Sequence, residues 1–129
     1  RRYIYPAERA EIVGRDITVM TENPGYYDTG YIGLFGDGGD AVTFRTNQAS
    51  TTLNFRYRCP ATMGNPARSV SVNGTTIITM TLSCSGTNWT TAPWRTIAVG
   101  YQLPAGSTVT ISHVGPDEGF ADLDDLALS

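Results

Sequence analysis

Short segments in which apolar and polar residues alternate run through most of the chain, and this pattern constrains its fold more than any other feature. In the stretch TTLNFRYR (51–58), Leu53, Phe55 and Tyr57 alternate with polar residues. A period of two is typical of a strand with one buried face. Similar segments occupy 40–46, 68–72, 75–82, 94–103, 107–114 and 119–129. The sequence therefore predicts many short strands.

Turn residues separate these segments and indicate how the strands connect. Asn73-Gly74 lies between two strand segments, which predicts a β-hairpin. Residues 21–40 are rich in Gly, Asp and Tyr and predict a loop region with one short strand at 31–35. No 3.6-residue periodicity is long enough for a helix, and we expect at most one helical turn near 9–13. We predict an all-β fold, an antiparallel two-sheet β-sandwich of the jelly-roll type, as a single domain over residues 1–129.

Charge and hydropathy limit the classes of partner. The net charge is −3 at pH 7, and the nine basic residues form no run or stripe, which argues against nucleic-acid binding. No apolar run approaches the ~20 residues that span a bilayer. The sequence opens without the hydrophobic segment of a signal peptide, as a mature secreted protein or an excised module would. We expect neither nucleic acid nor a membrane as a partner.

The chain has two cysteines, Cys59 and Cys84. A disulfide between them would close a loop of moderate size and stabilise the fold by ~3 kcal/mol in the chain-entropy model. Two free, buried thiols are the alternative, and the sequence leaves both open.

Three aspartates crowd the final segment, GFADLDDLALS (119–129). Strict alternation places Asp124 on the face of Leu126 and Leu128, and Asp125 on the opposite face, where we expect solvent. Buried carboxylates need a partner, because an unpaired buried charge is costly. One hypothesis is a calcium ion shared by Asp124 and Glu8, since the first and last strands of a sandwich are often neighbours. The other is a solvated edge strand whose aspartates prevent edge pairing.

A catalytic interpretation has little support. Glycoside hydrolases use two carboxylates, and Asp122 with Glu8 is the pair that a small hydrolase or lyase would use. However, a sandwich of this size offers little depth for a desolvated general acid, and nothing in the sequence distinguishes an acid from a base. His113 is the only histidine and lies in a strand pattern. We therefore expect no catalysis and keep the hydrolase or lyase as the alternative.

Aromatic residues in the predicted loops suggest a different activity. Tyr26, Tyr27 and Tyr31 lie in one glycine-rich region, and Trp89 lies in another. Exposed rings stack on the C–H faces of pyranose sugars, while neighbouring polar groups bond the hydroxyls. Alternatively, these rings plug the ends of a purely structural or adhesive sandwich, in which case Tyr31 and Trp89 would be buried.

Five motifs in order carry a resemblance to a known family. They are YPAERAE (5–11), GYIGLFGDGGDAVTF (30–44), SVSVNG (69–74), TNWTTAPWRTIAVGYQLPAGSTVTI (87–111) and ADLDDLAL (121–128). With them the chain resembles the carbohydrate-binding modules of families 6 and 35, and family 35 more closely. The likeness extends from end to end.

The resemblance implies a non-catalytic jelly roll with a structural calcium and a sugar site formed by loops at one end. By position, Glu8 and Asp124 match the family's calcium ligands. Tyr31 and Trp89 match the two rings that flank the sugar, and Asp122 matches a polar residue that bonds it. Such modules are usually tethered to secreted hydrolases of the plant cell wall and hold them near their substrate. We accordingly expect a secreted, extracellular, monomeric module, with a polysaccharide or oligosaccharide and a parent catalytic domain as its partners.

The chain departs from the family pattern at three points. Pro6 stands where relatives often have an acidic ligand, and the spacing of Trp89 and Trp94 is wider than usual. Asp122 stands where relatives commonly have Asn. A carboxylate accepts hydrogen bonds and disfavours direct contact with an anionic uronate. The sequence therefore favours a neutral glycan, with galactan ahead of mannan and xylan, and leaves open a uronate-containing glycan that a second calcium ion would bridge to Asp122.

Overall fold

Two antiparallel β-sheets with one hydrophobic core make up the computed structural model, which describes residues 3–129. In chain order the strands are β1 (Tyr3–Pro6), β2 (Glu11–Val13), β3 (Thr18–Met20), β4 (Tyr31–Phe35), β5 (Ala41–Arg45), β6 (Ser50–Arg58), β7 (Ala67–Val72), β8 (Thr75–Thr81), β9 (Arg95–Leu103), β10 (Thr108–His113) and β11 (Ala121–Leu128). Two 3-10 turns, at Ala7–Arg9 and Ala61–Met63, are the only helical elements in this part of the chain. The prediction of an all-β jelly-roll sandwich is confirmed.

The first sheet has the order β3-β4-β11-β6-β9, with β1 also paired to β11, and the second has the order β2-β5-β10-β7-β8. The alternation read from the sequence determines which side chains form the core. Leu53, Phe55 and Tyr57 of β6 are all buried, as are Val109 and Ile111 of β10. The buried faces of the two sheets meet in one cluster that spans the sandwich.

Local predictions have mixed outcomes. The hairpin of β7 and β8 is confirmed, and its Asn73 and Gly74 have φ of 50° and 84°. Both residues have a left-handed backbone conformation, as a two-residue hairpin turn of this kind requires. The strand at 31–35 is also confirmed as β4. The helical turn near 9–13 was misplaced, since the chain makes a 3-10 turn at Ala7–Arg9 and then enters β2.

Strand β11 lies in the interior of the first sheet. It pairs with β6 along one side, and with β4 and then β1 along the other. The hypothesis of a solvated edge strand is therefore wrong. Asp124 is 0% exposed, and the expectation of solvent around Asp125 is also wrong, because this residue is only 5% exposed. Flanking strands on both sides of β11 cover its carboxylates.

A β-bulge in β11 explains why strict alternation misplaced Asp124. Leu123 pairs with Tyr57 and Leu126 pairs with Phe55, so three steps along β11 match two steps along β6. Both leucines are core residues, and the extra residue lies between them. Asp124 consequently leaves the face of Leu126 and lies instead beside Arg56, with which it forms an ion pair.

A disulfide joins Cys59, directly after β6, to Cys84. Of the two alternatives left open by the sequence, the structure has the bridge. Two backbone hydrogen bonds accompany it, from Ser85 N–H to the Cys59 carbonyl (3.0 Å) and from Ala61 N–H to the Gly86 carbonyl (2.9 Å). The loop that leads to Trp89 is therefore fixed to the end of β6. Over residues 3–129, no helix is long and apolar enough to cross a membrane.

Candidate carbohydrate site

A cavity of about 400 Å³ opens where β4, β11 and the loops around Asn23 and Trp89 meet. It is lined by Met20, Asn23, Tyr31, Leu34, Met63, Trp89, Phe120 and Asp122. The three residues that the sequence proposed for sugar binding, Tyr31, Trp89 and Asp122, thus come together at one place. Small-molecule sites in proteins have volumes of this order and combine apolar walls with few polar groups.

Asp122 is held in this cavity by a buried arginine. The Nε–H of Arg58 donates to Oδ2 of Asp122 at 2.9 Å, and both side chains are buried. Burial raises the pKa of Asp122 to about 6, although Arg58 acts in the opposite direction. The guanidinium of Arg58 also lies 4.3 Å from the ring centre of Trp94 and 5.0 Å from that of Tyr31. Asp122 therefore presents a largely neutralised charge to the cavity.

Tyr31 forms the base of the cavity. The residue is 0% exposed, and its ring packs 5.8 Å from Tyr26 and 5.7 Å from Trp94, measured between ring centres. An exposed stacking ring was expected at this position, and a buried one is found. Tyr31 therefore packs beneath the other residues that line the cavity.

Trp89 is half-buried and sits in a loop that its neighbour Asn88 organises. The Asn88 side-chain oxygen accepts hydrogen bonds from the backbone N–H groups of Thr90 (3.0 Å) and Thr91 (3.1 Å). Such a local turn fixes the backbone on either side of the tryptophan. The Asn88 turn and the Cys59–Cys84 disulfide together fix the loop, and the loop holds the ring of Trp89 in the wall of the cavity.

Glu8 of the 3-10 turn at Ala7–Arg9 and Asp124 of β11 lie near each other, away from the cavity lining. Both oxygens of Asp124 accept from the Tyr27 N–H, at 3.0 and 2.9 Å, and Oδ2 also pairs with Arg56. Burial raises the pKa of Asp124, and the carboxylate of Glu8 raises it further. Oε2 of Glu8 accepts from Thr29, whereas its Oε1 is buried without a hydrogen-bond partner in the described chain.

Comparison with known proteins places this geometry in context. No protein-family model matches the chain. A family 35 carbohydrate-binding module from Clostridium thermocellum superposes with a TM-score of 0.77 at 24% identity, covering 98% of this chain and 96% of that one. The chain has the fold of a family 35 carbohydrate-binding module.

Two further similarities of this family 35-like module are to parts of larger proteins. An uncharacterized protein of Listeria monocytogenes, solved with α- and β-D-glucose, magnesium and calcium, is 27% identical with a TM-score of 0.82. The match covers 98% of this chain and 12% of that protein. An isomaltosyltransferase of Sporosarcina globispora is 29% identical over 114 residues, which is 87% of this chain and 10% of that enzyme. The chain thus spans about a tenth of the length of either protein.

Sequence reasoning missed the most exposed apolar wall of the module's cavity. Leu34 is 48% exposed and has a φ of 55°, a left-handed conformation that is rare for a bulky residue. It lies where the pairing of β4 with β11 skips a residue, since Ala121 pairs with Phe35 but Leu123 with Ile32. Strained backbone of this kind is concentrated at functional sites. No sequence signal marks it, because YIGLF reads as an ordinary strand.

The module's carboxylate pair fits a calcium ion in part. No group of three or more Asp, Glu, His or Cys side chains within residues 3–129 is arranged to hold a metal. Glu8 and Asp124 supply two carboxylates, and a buried oxygen of Glu8 without a donor is what a cation would satisfy. Calcium takes backbone carbonyls for its remaining ligands. Arg56, however, already supplies one positive charge to Asp124.

Proposed function

We propose that the chain is a non-catalytic module that binds a neutral polysaccharide. The observation that carries this proposal is the single cavity in which Trp89 and Leu34 offer apolar walls beside the carboxylate of Asp122. A pyranose ring has both apolar C–H faces and hydroxyl donors, so it complements such a lining. An ionised carboxylate paired to Arg58 still accepts hydrogen bonds from hydroxyls.

The arrangement of carboxylates favours binding over hydrolysis. Asp122 is the only carboxylate among the described residues that line the cavity, and Glu8 lies outside this lining, in the 3-10 turn at Ala7–Arg9. A glycosidase needs a second carboxylate within about 10 Å on the other side of the scissile bond. Release of reducing sugar from polysaccharide by the purified protein would contradict this part of the proposal.

Among neutral glycans, the relatives favour an α-glucan over the galactan expected from the sequence. The Listeria protein was solved with glucose, and the Sporosarcina relative is named for isomaltosyl transfer. We therefore place α-1,6-glucan first and galactan second. In a longer extracellular enzyme, the module would raise the local concentration of the catalytic domain at its polymer.

Affinity electrophoresis tests the proposal with dextran, galactan, mannan, xylan and polygalacturonate. We expect retardation by at least one neutral polymer and none by polygalacturonate. Trp89→Ala should weaken that retardation at least tenfold, because aromatic anchors dominate binding energy. Thr79→Ala, an exposed threonine on β8, is the control and should behave as the parent. If Trp89→Ala bound as tightly as the parent, the site assignment would be wrong.

We also propose that Glu8 and Asp124 hold a structural calcium ion. The support is the buried, unpartnered Oε1 of Glu8 next to a fully buried carboxylate. A ligand that binds only the folded state raises the melting temperature by mass action. Calcium should therefore raise it relative to a chelator, and Glu8→Gln should remove most of that difference. Equal melting in calcium and chelator would show that Arg56 alone neutralises Asp124.

A further inference from the structure

A second cavity adjoins the first and has no assigned role. It has a volume of about 640 Å³ and lies between the 3-10 turn at Ala61–Met63 and the loop 114–120. Met63 and Phe120 line both cavities. A ligand longer than one sugar can therefore pass from the ring-lined cavity over these two side chains into its neighbour.

Buried Arg68 fixes the walls of this second cavity. It is 0% exposed and donates four hydrogen bonds, to the carbonyls of Phe35 (2.6 Å), Gly119 (3.0 Å) and Ala67 (2.9 Å) and to Nδ1 of His113 (2.9 Å). Burial lowers its pKa to about 10, so the side chain is still charged at neutral pH. The strand β7, the end of β4 and the loop before β11 are thereby held together.

The only histidine is locked in place by the same network. Because Arg68 can only donate, Nδ1 of His113 must accept, and Nε2–H donates to the Pro116 carbonyl at 2.6 Å. This arrangement defines the neutral Nε2–H tautomer. Both ring nitrogens are occupied, so His113 serves as a fixed wall. Gly119, with φ of 68°, packs closely on Pro66 and adds to this rigid frame.

Polar groups on this frame remain available to a ligand. Thr62 and Glu118 are exposed, and neither side chain has a hydrogen-bond partner within residues 3–129. Asn65 uses its side-chain oxygen to accept from the Cys84 N–H at 2.9 Å, which leaves its amide hydrogens for other acceptors. Because this hydrogen bond already orients the Asn65 side chain, little entropy is lost when its amide binds a ligand.

We propose that the second cavity is a subsite for the next sugar residues of a chain whose first residue occupies the cavity of Trp89. This inference rests on the proposed function and extends it, since the module would recognise an oligosaccharide segment in preference to one sugar. Thr62 and Glu118 would accept hydrogen bonds from sugar hydroxyls, and Asn65 would donate hydrogen bonds to ring or glycosidic oxygens.

Titration calorimetry with two ligand series tests the proposal. The probes are glucose, isomaltose and isomaltotriose, and galactose, β-1,4-galactobiose and β-1,4-galactotriose. In the series that binds, we expect the trisaccharide to bind at least tenfold more tightly than the monosaccharide. Thr62→Ala and Glu118→Ala should each weaken trisaccharide binding about three- to tenfold, the effect of one or two hydrogen bonds, and leave the monosaccharide unchanged.

Two further variants complete the test. Thr62→Trp, which fills the second cavity, should reduce the affinity for the trisaccharide to that for the monosaccharide. Thr79→Ala is the matched control and should leave both affinities as in the parent. Equal affinities of the parent for mono- and trisaccharide would overturn the subsite and leave the proposed function standing. Failure of all six probes to bind would overturn the subsite for α-1,6-glucan and galactan chains, whereas the proposed function itself falls only if no neutral polymer retards the module in affinity electrophoresis.

Discussion

Removing the disulfide should lower the free energy of unfolding by about 3.5 kcal/mol, because the unfolded chain gains conformational entropy when the bridge is absent. The bridge joins residues 25 positions apart. In the chain-entropy model, a loop of that length lowers the entropy of the unfolded chain by about 12 cal/mol/K, or about 3.5 kcal/mol at 25 °C. For a chain of 129 residues, the entropy of unfolding is about 270 cal/mol/K, so the melting temperature should fall by about 13 °C.

Urea unfolding followed by circular dichroism measures the loss directly. The double variant Cys59→Ala/Cys84→Ala and the parent kept in reducing agent should give the same decrease, with unfolding still two-state. Sugar binding by the double variant should change less than about threefold, because the hydrogen bonds of Ser85 and Ala61 still hold the Trp89 loop on the folded protein. A decrease below about 1 kcal/mol, or a loss of binding with unchanged stability, would refute the reasoning.

Three other predictions follow from buried charges. The pKa of Asp122 is about 6 in the folded protein against an ordinary 3.8, so folding takes up a proton, and the stability from this group falls as pH rises through 6. Urea titrations in chelator should show that the free energy of unfolding declines by up to about 3 kcal/mol between pH 4 and 7, and that Asp122→Asn removes most of this decline. The same pH dependence in parent and variant would contradict the prediction. Arg68→Met should lower the free energy of unfolding by about 3–5 kcal/mol, because the backbone carbonyls that accept from Arg68 lose their donor. A variant as stable as the parent would show that water takes the place of the guanidinium. Glu8→Gln and Asp124→Asn should each remove most of the calcium-dependent rise in melting temperature, whereas a rise as large as that of the parent in both would place the ion elsewhere.

The strand pattern could be predicted because burial on one face leaves a period of two in the sequence. Leu53, Phe55 and Tyr57 carry that signal, and Asn73-Gly74 adds the turn chemistry that closes a hairpin. The proximity of the first and last strands also followed from the architecture alone, and β1 does pair with β11. These features depend on local, additive preferences.

The site could be predicted only in outline, since its details depend on departures from regular structure. A bulge in β11 cannot be read from alternating residues, so Asp124 was assigned to the wrong face, and the strands that cover Asp125 on both sides are a property of the assembled sheet. Arg58 and Arg68 occupy polar positions of their strands and look solvent-exposed in sequence, yet both are buried against rings and carbonyls. Only tertiary packing reveals which arginine is desolvated. The left-handed backbone of Leu34 is likewise a property of the assembled sheet.

The bulge in β11 divides one strand into two halves that are aligned independently. The half around Asp122 is aligned with β4, and the half from Asp125 onward with β1. The extra residue between them absorbs the difference in register. Deleting the extra residue, Asp124, would leave Leu123 and Leu126 two positions apart, opposite Tyr57 and Phe55 of β6, so both leucines would stay in the core and only the carboxylate beside Arg56 would be lost. The bulge therefore gives β11 a carboxylate for Arg56 without moving a leucine of either half out of the core.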